Sequence, residues 1–329
     1  MISLGIIFGG ASYEHEISII TAYQLKKKLE EKYEIHLIYV SLDGQFYNAD
    51  KMLMRDFRTN NLKKLKKLNF KKLVVDVIVG AMHGENGEDG LAYDFARINN
   101  FRYLGCEGLA ASISIDKYRS YCFLANNGIK MIDTKLYTYD DYLHGVIIDI
   151  FPCILKPVYG GSSLGIEVVM TKEELETKLT KVFKYSKELV VQPYYVDLEE
   201  YNLALSEEDY SNLERINKKA EIFSFDNKYS DSFKVMHQSL VSESSYVDFC
   251  EIARKVYKLI NASGIIRIDF FMIDNEIYVN EVNTTPGALA MYLFPDFLKT
   301  FETSLNNCLL KEIKIYPNNH FLLKNNIDK

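Results

Sequence analysis

The chain has 329 residues, 48% of them hydrophobic and 26% charged, with a formal net charge of -6 and an isoelectric point near 5.7. That length exceeds one ordinary core and implies two or three domains, while the acidic balance argues against a general nucleic-acid binder, which carries a basic surplus. Cys106, Cys122, Cys153, Cys250 and Cys308 are scattered and never paired as C-x-x-C, against a disulfide framework or zinc site and for a reducing cytoplasm, and no run approaches membrane-spanning length.

Residues 3–8 form an apolar run stopped by Gly9-Gly10, which reads as a first buried strand and not as a signal peptide. Residues 17–31 follow with helical spacing at Ala22, Leu25 and Leu29. The loop between them lies at the carboxyl end of a strand, where open α/β sheets bind ligands. Its carboxylates, Glu14 and Glu16, suit an ammonium better than a pyrophosphate; alone, they are also ordinary charges for a helix N-terminus. Residues 33–40 and 73–82 read as further strands, the second a Val/Ile run of the kind found in parallel sheets covered on both faces. Between them Lys63, Lys64, Lys66, Lys67, Lys71 and Lys72, interleaved with Leu62, Leu65 and Leu68, read as a solvated helix face or connector. Residues 83–90 then place three glycines and four polar side chains at a strand end, where His83 serves as a structural donor or touches substrate.

Residues 101–105 make a short strand, and 110–126 contain a helix carrying Asp116-Lys117. A strand over 151–157 bears Lys156, and a Gly/Ser loop at 160–165 leads into a strand at 166–170. Such a flap can fold backbone N–H groups and hydroxyls over phosphates, or be a plain hairpin tip. It is no Walker A loop, because the lysine precedes the glycines and no helix follows at once. Strands are expected at 189–195 and around Leu203 and Leu205, a charged connection at 206–220, and a polar loop with Lys228 and Tyr229 at 222–231. Helices are expected at 246–261 and 295–310, and a frayed polar end at 317–329.

Residues 264–287 read as two strands around a turn at Asp274-Asn275. Polar groups recur with period two, Arg267 and Asp269 on one arm and Glu281 and Asn283 on the other. A two-residue loop sets Asp269 opposite Asn280; a three-residue loop, 274–276, sets it opposite Glu281 and sets Arg267 opposite Asn283. The second register is favoured, with Ile268, Phe270, Met272, Tyr278 and Val282 on the other face. Carboxylates facing each other across a sheet repel unless a cation sits between them, and oxygen ligands without His or Cys suit magnesium carrying phosphates. The plainer alternative is a surface hairpin with a wet polar face. Against it, Pro286-Gly287 signals a turn that brings bare N–H groups to the same face.

Taken in order, these motifs resemble the D-alanine:D-alanine ligase family of ATP-grasp enzymes over nearly the full chain. They are 9–18, 83–90, Asp116-Lys117, Lys156 with Gly161-Ser162-Ser163, Lys228-Tyr229, Arg267-Ile-Asp269 and 283–287. The resemblance implies an N-terminal parallel-sheet α/β domain (1–105) followed by two α+β halves (106–191 and 192–329) that clasp ATP. It implies an acyl phosphate formed from ATP and the first amino acid, then attack by the amine of the second, in the cytoplasm and for peptidoglycan synthesis. Lys117 and Lys156 would contact phosphates under the 160–165 loop with Ser162 and Ser163, and Lys228 would approach the transferred group. Glu200 would hold the ribose if one residue is inserted before it, and Glu199 otherwise. Asp269, Glu281 and Asn283 would hold two magnesium ions, or manganese in their place. Arg267 and the N–H of Gly287 would stabilise the oxyanion, and Glu16, linked through Ser162 and Tyr229, would bind the first ammonium. A homodimer is implied only by the family's habit, and no nucleic acid or membrane partner is.

Two departures stand out. Gln192-Pro193 replaces the acidic residues usual at the adenine hinge, and Tyr292-Leu293 stands where the family presents Ser-Leu to the second substrate's carboxylate. The bulk of Tyr292 favours an acceptor other than D-alanine, such as another amino or hydroxy acid, as the alternative to a D-alanine:D-alanine ligase. A nucleotide-binding protein without ligase activity is the third reading. The intact Lys156, Lys228, Arg267, Asp269, Glu281 and Asn283 argue against it.

Overall fold

The computed structural model describes residues 1–196, 198–216 and 242–312. Its strands form three sheets. The first contains β1 (Ser3–Gly9), β2 (Glu34–Val40), β3 (Phe46–Asn48), β4 (Lys66–Lys67), β5 (Val77–Gly80) and β6 (Arg102–Leu104), in the order β4-β3-β2-β1-β5-β6. β2, β1, β5 and β6 run parallel, as the apolar runs predict, while β3 and β4 add an antiparallel edge that the sequence did not announce. The lysine cluster lies on that edge. It is not a helix: Lys66 and Lys67 are exposed on β4 between two short 3₁₀ turns, where lysines discourage pairing with another chain.

The second sheet, β7 (Lys135–Thr138), β8 (Cys153–Pro157), β9 (Glu167–Val169) and β10 (Glu188–Pro193), has the order β7-β10-β8-β9 and is antiparallel throughout. The third, β11 (Glu199–Leu205), β12 (Glu214–Ile216), β13 (Ile266–Ile273) and β14 (Glu276–Asn283), is antiparallel with the order β12-β11-β13-β14. This is the expected α/β domain followed by two α+β halves.

Packing cuts across a linear division at 105/106 and 191/192. The predicted helix over 110–126 is two helices, Gly108–Ile115 and Lys117–Asn126, broken at Asp116, whose carboxylate accepts the Arg119 N–H at 2.7 Å as an N-cap. Ala110, Ala111 and Leu124 from this pair pack with Phe249 and Phe270 in the core of the third sheet, not the second. β10 carries the second sheet two residues past 191. Helix Phe297–Leu310 returns to the first sheet, burying Phe297, Phe301 and Leu305 with Leu4, Ile6 and Leu25. Residues 222–231 and 317–329, with Lys228 and Tyr229, lie outside the described residues. No helix among the described residues is long and apolar enough to cross a membrane.

Candidate active site

Residues of the second and third sheets, with the first helix and a loop of the first domain, line one cleft of ≈ 740 Å³, within the range of sites that enclose small ligands. One wall is the hairpin β13–β14. Asp269 pairs with Glu281 and Arg267 with Asn283, the favoured register, but the tip reaches it differently from the three-residue loop expected. Ile273 pairs with Glu276 around a two-residue turn, and both turn residues, Asp274 and Asn275, have positive φ, as a type I′ turn requires. A bulge then leaves Asn280 unpaired between Val279 and Glu281. The bulge changes two side chains. Tyr278 lies opposite Phe271 and not in the core; Val279, opposite Phe270, fills that place at 1% exposure. Asn280 faces the cleft, where its Oδ1 accepts from Lys156 Nζ at 3.4 Å.

Arg267 donates to both carboxylate oxygens of Asp269, at 2.6 and 2.8 Å. Burial works against its charge, and the Asp269 carboxylate more than compensates, so its pKa is raised. On β11, Glu200 and Asn202 pair with Phe271 and Asp269 and line the same cleft. Glu199 points to the opposite face, where it is bound by Tyr201 and Arg215. Next to Asn202, Glu214 on β12 accepts from Asn202 Nδ2 and from the Tyr292 hydroxyl, both at 3.0 Å. Burial raises the pKa of Glu214, and burial together with the Glu214 charge raises that of Tyr292. Tyr292 is 48% exposed and lines the cleft. Leu293, expected beside it at the substrate, is fully buried in the core around the first sheet and does not line the cleft.

The opposite wall is built by the first domain. β1 stops at Gly9, where φ is +95° and a Cβ would fall 2.2 Å from the Val40 carbonyl oxygen, so the chain can leave the sheet there only as glycine. Helix α1 (His15–Leu29) follows, and Glu14, Ile17, Thr21 and Gln24 line the cleft with helical spacing. Ser162 Oγ donates to Glu14 Oε1 at 2.5 Å, and a Cβ on Gly161 would fall 2.8 Å from the same carboxylate. Glu16, expected in that place, is exposed and outside the cleft lining, because two residues along a helix point nearly opposite ways. Glu14 stands there instead, and its phase with Ile17, Thr21 and Gln24 was the available signal.

His83 is 5% exposed. Its N–H donates to Ser18 Oγ at 2.8 Å, and its Nε2 lies 2.8 Å from Thr21 Oγ1. Burial, with the Arg267 charge adding, holds its imidazole down to about 4, so it is neutral. Glu88 accepts from the N–H groups of Gly84 at 2.8 Å and Thr285 at 3.2 Å. Burial and the Glu14 charge push its carboxyl up to about 8.

The roof is the β8–β9 flap. Lys156 is 8% exposed and lines the cleft with Gly161, Ser162 and Ser163. Ser162 and Ser163 both have positive φ, and residues 160–164 all line the cleft. Lys117, the first residue of its helix, also lines the cleft and donates to the Gly160 carbonyl at 2.5 Å. Gly287 also lines the cleft. At the hinge, Thr134 Oγ1 donates to the Ile132 carbonyl at 2.8 Å and can therefore only accept from Gln192 Nε2, also at 2.8 Å. Among the described residues no cluster of three or more His, Cys, Asp and Glu is spaced to hold a metal.

Comparison with known proteins places this architecture. The family model for the D-ala D-ala ligase N-terminus matches residues 3–106, and that for the D-ala D-ala ligase C-terminus matches residues 128–311. The D-alanine–D-alanine ligase of Helicobacter pylori strain P12 is 34% identical over 97% of this chain and 97% of its own length. The one from Campylobacter lari strain RM2100 is 34% identical over 94% and 95%. The crystal structure of the Helicobacter pylori ligase superposes with a TM-score of 0.79 at 30% identity, covering 96% of this chain and 100% of that one. With both family models matched and relatives aligned nearly end to end, the chain belongs to the D-alanine–D-alanine ligase family.

Proposed function

We infer that this protein is an ATP-dependent D-alanine–D-alanine ligase that makes the dipeptide for peptidoglycan synthesis. One observation carries the reading. A single cleft holds the Glu14–Ser162 pair at one end, the buried Lys156 under a Gly/Ser flap, and Asp269 and Glu281 on facing strands.

The donor set fits magnesium. Two carboxylates and an amide oxygen are hard ligands, and phosphate oxygens would complete the shell, which fits the absence of a protein-only cluster of three or more His, Cys, Asp and Glu among the described residues. Among the described residues Asn283 Nδ2 has no partner, so its amide is not held against presenting its oxygen. Asp269, Glu281 and Asn283 would hold the ions, which would neutralise phosphate charge during transfer.

The protein groups then divide the work. Glu14, fixed by Ser162, takes the ammonium of the first D-alanine and leaves its carboxylate facing the phosphates. Lys117 and Lys156 balance phosphate charge, and Glu200 takes the ribose hydroxyls. A carboxylate oxygen attacks the γ-phosphorus, ADP leaves, and an acyl phosphate remains. The amine of the second D-alanine attacks the carbonyl carbon; Arg267 and the Gly287 N–H stabilise the oxyanion, and phosphate departs with the former carboxylate oxygen as the amine loses its proton. The acceptor lies beside the half-exposed Tyr292 ring, whose hydroxyl proton is committed to Glu214. D-Alanine labelled with oxygen-18 in its carboxylate should yield phosphate carrying one labelled oxygen per turnover. Dipeptide formed with unlabelled phosphate would rule this sequence out.

A further inference from the structure

We propose that Thr21 is a positioning residue for the acceptor side of the cleft, its hydroxyl holding the left-handed turn at Ala288–Ala290 that sets Gly287 and Tyr292. The proposal rests on the ligase reading for its functional consequence, not for its geometry. Ala288, Leu289 and Ala290 have φ of 49°, 50° and 51°, a region that side-chain-bearing residues occupy singly and reluctantly. All three are buried, so water does not relieve the conformation. Observed strain of this kind persists only where the surroundings over-determine it.

Much of what determines it comes from the first domain. Inside the turn Leu289 N–H donates to the Pro286 carbonyl at 2.8 Å and Leu293 N–H to that of Ala290 at 2.9 Å. The N–H of Ala288, at the first strained residue, is taken by Thr21 Oγ1 at 3.1 Å. Thr21 is 1% exposed, and its Oγ1 also lies 2.8 Å from Nε2 of the neutral His83 ring; a hydroxyl oxygen has two lone pairs, so it accepts from Ala288 whichever partner donates in that contact. A valine would fill the same space and leave the Ala288 N–H buried without an acceptor.

The test compares Thr21→Val with Thr21→Ser in the full-length protein. Amide exchange of the 286–292 segment should quicken about tenfold or more in Thr21→Val and return to within about threefold of wild type in Thr21→Ser. Rates measured against D-alanine should show the acceptor KM raised about tenfold in Thr21→Val, with the ATP KM within about twofold, and Thr21→Ser restoring it. Wild-type exchange in Thr21→Val, equal rises in both KM values, or no recovery with serine would overturn the proposal. Should Thr21→Val not fold, Thr21→Ala is read by the same exchange measurement. Exchange needs no turnover, so a wild type that makes no dipeptide would refute the ligase reading while the exchange result still decides the role of Thr21.

Discussion

The two walls of the cleft follow different periodicities, and they differ in how much error a reading of the sequence can absorb. On the sheet wall side chains alternate. A three-residue loop without a bulge and a two-residue turn with a bulge at Asn280 both advance the second strand by one residue, so Glu281 meets Asp269 either way. On the helix wall each residue turns the direction by about 100°, and Glu14 and Glu16 point about 200° apart. A choice between them is all or nothing there. The phase that matters is that of Ile17, Thr21 and Gln24, which face the cleft, and not that of Ala22, Leu25 and Leu29, which face the core.

The largest effect of a single substitution is expected on the sheet wall. Glu281→Gln should lower turnover about a hundredfold or more while the thermal midpoint stays near wild type, since the carboxylate proposed to hold magnesium is lost without a change of shape. Near-normal turnover would remove Glu281 from the metal site. On the helix wall, Glu14→Gln should weaken the first D-alanine about 10- to 100-fold, the worth of a charge-assisted hydrogen bond, and Glu16→Gln should stay within about twofold. The reverse order, read from donor KM values, would reinstate Glu16.

A third test uses proton linkage at Glu88. Its carboxyl is raised from 4.5 to about 8, so the folded state holds a proton that the unfolded chain has released. The stability it contributes is full below about 4.5 and falls as pH rises through about 8. His83, lowered to about 4, acts in the opposite sense but only below its unfolded value of 6.5. Unfolding free energies from denaturant titrations between pH 6.5 and 8 should therefore fall in the wild type, by at most about 1.4 kcal/mol per pH unit, and this component should vanish in Glu88→Gln. The smallest effect belongs to Asn280→Ala, which removes a long 3.4 Å contact to Lys156 and should raise the ATP KM by no more than about fivefold.

What could be read in the sequence was what local pattern dictates. The Val/Ile run of β5, the Gly/Ser flap after Lys156 and the polar alternation of β13–β14 each follow from periodicity or turn chemistry within a few residues. What could not be read depends on partners far apart in the chain. Glu14 meets Ser162 across 148 positions, Tyr292 meets Glu214 across 78, and Ala288 meets Thr21 across 267. The same distance hid the return of helix Phe297–Leu310 to the first sheet, which buries Leu293 among core residues instead of presenting it to substrate. Tyr292 was legible as a departure, but its acidic partner was not, because nothing local to Glu214 marks it as facing the cleft.

The ligase activity is decided by magnesium-dependent ADP release from ATP with D-alanine as the sole amino acid, with the product identified by mass. A D-alanine–D-alanine ligase gives ADP release matched one for one by D-alanyl-D-alanine, and none without magnesium. ADP release that requires a different second acceptor, or no release with D-alanine at all, would contradict it.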